Sequence, residues 1–372
     1  MTNNHDKIIG PGSIILIILM ALAVPVAAIR YVNGLGAISN LSDAYPWGFW
    51  ISFDLFCGVA LAAGAFVVAA VVDIFGGKTM KPLLRPAILT GFLGYLLVGT
   101  ALMVDLGQYH RIWYLTWSWN LNSPLFEVGW CVMLYLSVLA LEFAPVVLEK
   151  FKLKTPLLIL KRISIVLIIA GITLSTMHQS SLGTMLLIMQ DKLHPLWHTQ
   201  ILPILFLNTA IAVGIAMVLV ESTITMKIFK RPSETAAQGK LATGLPWVLG
   251  IYFVIRIIDL AAQGRIGLMF DGSTESIWFL LEMIIGVVIP FFYFLSKKVR
   301  SSTPAMFIGA LLVMFGVMFN RFIVSWFAIS FPEGSSYTPH IMEIIISAGI
   351  VSGGIMAFYL LCRFFPVLSE EH

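Results

Sequence analysis

Ten stretches of about 20 mostly apolar residues, each long enough to cross a bilayer as a helix, dominate this 372-residue chain. They fall at roughly 12–32, 50–75, 83–104, 124–148, 157–178, 201–226, 245–262, 276–296, 304–326 and 341–364. Inside lipid each segment has to satisfy its own backbone polar groups, so such stretches fold as helices. The sequence therefore predicts an all-α integral membrane protein of about ten transmembrane helices. Two four-helix bundles (spans 2–5 and 6–9) with flanking helices are the expected arrangement. Residues 1–49 carry the N-terminal segment and first helix, 50–200 the first bundle, 201–330 the second, and 331–372 the last helix and C-terminus. Only 11% of the residues are charged against 59% hydrophobic, which excludes a water-soluble enzyme. The formal charge of +4 is too small and scattered to suggest a nucleic-acid partner. The first apolar stretch lacks a small-residue cleavage site and reads as a retained helix.

Lysine and arginine set the orientation. The even-numbered connections hold Lys78, Lys81 and Arg85; Lys150, Lys152, Lys154, Lys161 and Arg162; Lys227, Lys230, Arg231 and Lys240; and Lys297, Lys298 and Arg300. Lys7 and Arg363 stand at the two ends, and the opposite connections hold only Arg111, Lys192 and Arg265. The positive-inside rule places both termini in the cytoplasm, with the chain in the cytoplasmic (inner) membrane. The outer connections 107–123 and 190–200 are rich in Trp, Tyr and His, which suits an interfacial aromatic belt or a docking surface for an extracytoplasmic partner.

The three cysteines, Cys57, Cys131 and Cys362, sit singly in apolar runs, so no metal or iron–sulfur cluster is expected in this chain. Of the histidines His5, His110, His178, His194, His198, His340 and His372, only His178 falls within a predicted span, at its edge. A b-type haem between helices usually takes two axial histidines, so no haem is expected. The chain also lacks a phosphate-binding loop, a dinucleotide fingerprint and a nucleophile elbow.

Charged residues in spans are costly, so each is a functional candidate. Asp54, Asp105, Glu127 and His178 are expected near the outer ends of four consecutive spans, at a similar level. Asp73, Glu142 and Glu221 lie toward the cytoplasmic ends, and Tyr95 is about 15 Å below Asp105 at 1.5 Å per residue. A quinone takes one proton on each carbonyl oxygen as it is reduced. Its site needs donors such as His or Tyr, carboxylates that relay protons, and an apolar sleeve for the tail. Gln179, Asn122 and Tyr95 are within plausible reach of His178 and complete that set. In the second half, Arg256 and Asp259 share a helix face, with Glu282, Asn320, Arg321 and Glu343 nearby in sequence. Tyr252…Asp259 faintly parallels Tyr95…Asp105, and Phe319–Asn320–Arg321 parallels Met177–His178–Gln179, as in a duplicated bundle whose second copy keeps structural ion pairs.

Several runs carry a family resemblance. They are Tyr45–Pro46–Trp47–Gly48–Phe49–Trp50–Ile51–Ser52–Phe53–Asp54, Arg85–Pro86–Ala87, Asp105–Leu106–Gly107, Asn122–Ser123 with Leu125–Phe126–Glu127, and Leu141–Glu142–Phe143–Ala144–Pro145. The strongest is Thr176–Met177–His178–Gln179–Ser180–Ser181–Leu182–Gly183, followed by His194–Pro195–Leu196–Trp197. The chain resembles the NrfD/polysulfide-reductase membrane subunits, and within them the ten-span HybB-type branch associated with periplasmic nickel–iron hydrogenases. The resemblance implies a haem-free subunit that exchanges electrons between the quinone pool, menaquinone above all, and an extracytoplasmic iron–sulfur, ferredoxin-like partner. Catalytic subunits of a hydrogenase, a multihaem-cytochrome complex or a sulfite-reduction complex would complete the assembly. It further implies that Tyr95, Glu127 and His178 serve the quinone site or its proton supply, and Glu221 a cytoplasmic proton route. From the residues themselves, Glu127, Asp105 and Glu221 are the proton-handling candidates, and Tyr95, His178, Gln179, Asn122 and Asp54 the quinone-binding ones. A secondary transporter and a passive membrane anchor are the alternatives.

Overall fold

A computed structural model describes residues 10–43, 45, 47–189, 192–330 and 336–368. His5, Lys7, Pro46, Gln190, Asp191 and His372 lie outside these. The described chain is helical, with two isolated bridges, Ser42 to Tyr45 and Leu193 to Ile329, in place of any sheet. Ten helices are long and apolar enough to cross a membrane: α1 Pro11–Asn33, α2 Ile51–Ile74, α3 Lys78–Asp105, α4 Pro124–Lys150, α5 Lys154–Leu187, α6 Leu202–Ile228, α7 Thr235–Ala262, α8 Thr274–Leu295, α9 Thr303–Phe327 and α10 Ile341–Phe364. This is a multi-pass integral membrane protein. The connections after even-numbered helices form the basic face, and those after odd-numbered helices form the aromatic face.

Local chemistry explains where the helices begin. Pro11 starts α1, where the missing N–H costs nothing. Ser123 caps α4 by accepting from Phe126 N–H, with Pro124 at the first position. Ser273 caps α8 in the same way. His340 and Glu343 form a reciprocal capping box at α10. Helix α5 departs from the expected boundary. It runs to Leu187, nine residues past His178, because the polar side chains of His178, Gln179 and Ser181 are enclosed by protein and need not end the span. Its first half faces outward, and burial begins at Gly171.

Helices α2 and α6 form the centre, with 78% and 67% of their apolar windows buried, against 6% for α1. Small residues let the axes approach, the usual device where lipid supplies no hydrophobic drive. A Cβ at Gly214 of α6 would stand 2.9 Å from the Ala63 and Gly64 backbone of α2. A Cβ at Gly316 of α9 would stand 2.1 Å from Gly286 Cα of α8. Helix α2 is irregular, with π-helical turns over Ile51–Cys57 and Ala70–Ile74 and a turn at Ala62–Ala63; such irregularities accompany functional sites. Helix α4 packs on α5, and α6 packs on α2, α5, α7 and α9. Helix α1 packs on α10, and α10 on α3.

Candidate functional site

Three helices bring a polar cluster together inside lipid-spanning structure. Tyr95 comes from α3, Tyr135 from α4, and Ser175, His178 and Gln179 from α5; their side chains are buried. The Tyr95 and Tyr135 rings meet edge to face at 4.6 Å, and the Tyr95 and His178 rings lie 5.5 Å apart. Gln179 Nε2 donates to the Val59 carbonyl of α2 at 3.0 Å, which ties the cluster to the fourth helix. The rest of its hydrogen-bonding capacity is unused. Ser175 and Gln179 face the Tyr95 hydroxyl, yet the Tyr95 and Tyr135 hydroxyls, Ser175 Oγ, both His178 nitrogens and Gln179 Oε1 have no partner. Each such buried group costs about 1–3 kcal/mol when left unbonded. About one turn toward the aromatic face, Ser181 Oγ donates to Glu127 Oε1 at 2.6 Å.

The other expected site residues lie elsewhere. Asp54 of α2 accepts from Ser347 of α10 at 2.6 Å, on the opposite side of α2. Asp105 closes α3, half-buried, within electrostatic range of Asp54, Glu343 and Arg30. Arg30 donates to the Val104 and Leu106 carbonyls at 2.6 and 2.5 Å, satisfying the end of α3. Asn122 is exposed in the connection before α4, where its backbone N–H donates to Asn120 Oδ1, and it does not join the cluster. Glu221 of α6 accepts from Thr90 of α3 at 2.5 Å, nearer the basic face. The shared level expected for Asp54, Asp105, Glu127 and His178 is thus corrected. Helix α5 continues about 13 Å beyond His178 at 1.5 Å per residue, so His178 meets Tyr95 at depth while the carboxylates stay nearer the rim. Tyr135, Ser175 and Ser181 escaped the sequence reading. Helical spacing from known members could have found them: Glu127, Cys131 and Tyr135 are i, i+4, i+8, and Ser175, His178 and Gln179 are i, i+3, i+4.

A second polar cluster occupies the other half of the chain, with its central carboxylate fully bonded and Asn208 Oδ1, Arg256 Nε and Arg321 Nε left without hydrogen-bond partners. Glu282 of α8 accepts from Trp197 at 2.8 Å, Tyr252 of α7 at 3.0 Å and Asn320 of α9 at 2.9 Å. Arg321 donates to Asn320 and Thr209, both at 2.8 Å, and stacks 3.7 Å from the Phe206 ring centroid. The His194–Trp197 run works as a clasp on this half. Arg256 holds the Leu196 carbonyl, and Arg265 holds those of Pro195 and His198. Arg256 and Asp259 pair at 3.7 Å, as their spacing predicts.

On the aromatic face, burial pushes the Tyr337 hydroxyl well above its ordinary pKa, helped by its hydrogen bond to Glu343. Burial lowers the His194 imidazole. Trp113, Tyr114, Trp117 and Trp119 of the 106–123 connection are exposed there. Between α2, α3, α6, α9 and α10 lies an apolar cavity of about 410 Å³, with Asp54 and Glu221 among its wall residues. Among the described residues no group of three or more His, Cys, Asp or Glu side chains is placed to hold a metal ion.

A ten-helix membrane protein with an unsatisfied polar centre among α3, α4 and α5 is the class that fold and site define. The chain belongs to the NrfD family: the model of "Polysulphide reductase, NrfD" matches residues 37–332. It is 38% identical to a protein of Nitratidesulfovibrio vulgaris, over 99% of this chain and 97% of that one. It is 34% identical to the "Probable Ni/Fe-hydrogenase 2 b-type cytochrome subunit" of Escherichia coli, over 97% of this chain and 91% of that one. It is 27% identical to the "Menaquinone reductase, integral membrane subunit" of N. vulgaris, over 91% of this chain and 87% of that one. The second of these names implies haem. A bis-histidine haem does not fit here, because His178 is the one histidine within the ten spans and its neighbours are phenols, an amide and a serine.

Proposed function

We propose that this chain is the quinone-reactive membrane subunit of a respiratory redox complex, exchanging electrons between menaquinone and an extracytoplasmic iron–sulfur partner. One observation carries the reading: six buried donor and acceptor atoms converge from Tyr95, Tyr135, Ser175, His178 and Gln179 without partners. Those are the groups that a quinone's two oxygens need. Tyr95 donates its hydroxyl proton to one oxygen, and the His178 imidazole offers one N–H donor and one acceptor nitrogen when neutral. Reduction takes two electrons from the partner's clusters and one proton on each oxygen, and oxidation returns both. Glu127, hydrogen-bonded to Ser181 one turn above, exchanges those protons with the aromatic face, with Asp105 and Asp54 as further carboxylates on that side. Glu221 belongs to a separate route from the basic face. The basic connections support a cytoplasmic position for that face and for both termini, in the inner membrane. The exposed tryptophans of the 106–123 connection then form the surface on which the iron–sulfur subunit docks, and hydrogenase or other reductase subunits complete the assembly. The name of the menaquinone reductase relative supports the quinone half of this reading, and that of the hydrogenase relative a place in a redox complex. No haem is assigned to this chain.

The test is Glu127→Gln in the assembled complex, read as quinone reduction, with a visible spectrum and quinone analysis of the same preparation. A loss of about 10²-fold or more in turnover is expected for a positioned proton carrier. Wild-type turnover at normal quinone affinity removes Glu127 from the mechanism. A b-type absorbance assigned to this chain overturns the haem-free reading.

A further inference from the structure

The 410 Å³ cavity is a shaft rather than a chamber. Met217, Val220, Glu221, Ile224, Thr225 and Ile228 of α6 line it along one helix face, a height of about 16 Å at 1.5 Å per residue. Dividing volume by height leaves a mean cross-section of about 25 Å², room for one extended hydrocarbon chain or one flat ring on edge. Helices α6 and α10 are not among the pairs that pack closely. The wall residues on either side of that gap, Ile224, Ile228, Val351 and Ile355, are exposed, so the shaft opens sideways toward lipid. Its opposite end is enclosed, where Asp54 and Cys57 are buried. The wall between shaft and polar cluster is one helix thick. Gly58 and Ala62 of α2 face the shaft, while the intervening Val59 carbonyl faces Gln179.

We propose that this shaft lodges one isoprenoid quinone, admitted sideways from lipid between α6 and α10, with its ring at the Asp54 end and its chain along the shaft. The enclosed end decides the occupant. A phospholipid chain entering the gap would press its methyl terminus against a buried carboxyl group, which favours a polar contact. A quinol entering ring first brings a hydroxyl that donates to Asp54. The inference rests on the quinone reading above and adds a holding position ahead of the reacting one: α2 separates the ring at Asp54 from the Tyr95–His178 cluster, one helix diameter, about 10 Å, away, and chain length is sensed in the shaft.

The experiment uses the assembled complex with two electron acceptors, a long-chain menaquinone and menadione, which has the same ring without the chain. Ile355→Trp narrows the mouth two helical turns from Ser347 and leaves Asp54 and the polar cluster intact. The expected result is a KM for the long-chain quinone raised about tenfold or more, with menadione kinetics unchanged within about twofold. Equal values for wild type and variant on both acceptors overturn the shaft proposal, and so does an equal loss on both. A wild-type complex that reduces neither acceptor overturns the quinone reading itself. Should Ile355→Trp fail to assemble, the wild-type complex still decides the matter through Cys57, which lines the shaft. Long-chain menaquinone should protect Cys57 from a membrane-permeant maleimide, read by mass spectrometry, where menadione and added phospholipid do not. Absence of that protection, or equal protection by phospholipid, overturns the proposal.

Discussion

Removing one hydroxyl from each half of the molecule should move stability in opposite directions. Tyr95→Phe deletes a buried hydroxyl that has no partner and keeps the ring contacts with Tyr135 and His178. The variant loses an unpaid desolvation penalty and should be more stable by about 1 kcal/mol. Tyr252→Phe deletes a hydroxyl that donates to Glu282 at 3.0 Å in a buried site, and should be less stable by about 1–2 kcal/mol. Quinone turnover should show the converse. A donor lost from a quinone oxygen removes about 1–1.4 kcal/mol of binding in the Tyr95 variant, a five- to tenfold fall in kcat/KM. Tyr252→Phe should stay within about twofold of wild type. The buried free cysteines away from the cavity, Cys131 and Cys362, supply the stability assay, since a thiol-reactive dye reports their exposure as the detergent-solubilised protein is heated. If Tyr95→Phe melts lower, as Tyr252→Phe does, and keeps full turnover, the first cluster is only a packing device that fixes how its helices meet.

Other substitutions test the fold. Gly316→Ala should cost several kcal/mol, since its Cβ would stand 2.1 Å from Gly286 Cα and force α8 and α9 apart. Gly99→Ala, with nothing within 4 Å of the added carbon, should gain up to about 1 kcal/mol in the same melting assay. Lys152 and Lys230 end α4 and α6 at φ 56° and 51°, the left-handed region where a Cβ is crowded. Replacing either by Gly should raise stability by about 0.5–1 kcal/mol; a lower melting midpoint would mean that the lysine side chain contributes more than its backbone strain costs.

The membrane fold was legible because lipid leaves so little choice: an apolar run of sufficient length becomes a helix, and nearly every expected span recurs within a few residues. The fifth boundary was misplaced because local polarity cannot reveal enclosure. Met177–His178–Gln179–Ser180–Ser181 reads as an interface when neighbours are unknown, yet His178, Gln179 and Ser181 turn inward to α3, α2 and α4. The pairing of Tyr95 with His178 followed from residue chemistry. Its depth did not, and neither did Tyr135, since tyrosine on an apolar helix is most often packing. Asp54 and Asn122 were grouped with His178 by expected level alone. Level along the membrane normal does not fix which side of a helix a residue faces, and Asp54 turns to Ser347 and the shaft.

The faint likeness between the halves gains meaning from these contacts. Tyr95 and Tyr252 stand on the second helix of each set of four, Tyr135 and Glu282 on the third, and His178 and Asn320–Arg321 on the fourth. The same positions therefore build a polar centre twice, with opposite outcomes. In the second centre a carboxyl acceptor gathers three donors, and Arg321 adds its own bonds to Asn320 and Thr209. Its carboxylate is satisfied by side chains alone, with Arg256 Nε and Arg321 Nε left over, and breaking one partner would expose the rest. In the first, the imidazole and two phenols replace the carboxylate and guanidinium, and no side chain there completes their bonding. Nothing in the packing demands that choice, since phenylalanine and leucine would fill the same volume without the penalty. Under the proposed function, a bound quinone with two oxygen acceptors offsets the penalty. On that proposal the first centre is the one that meets the quinone oxygens, while the second ties its helices together through its own bonds.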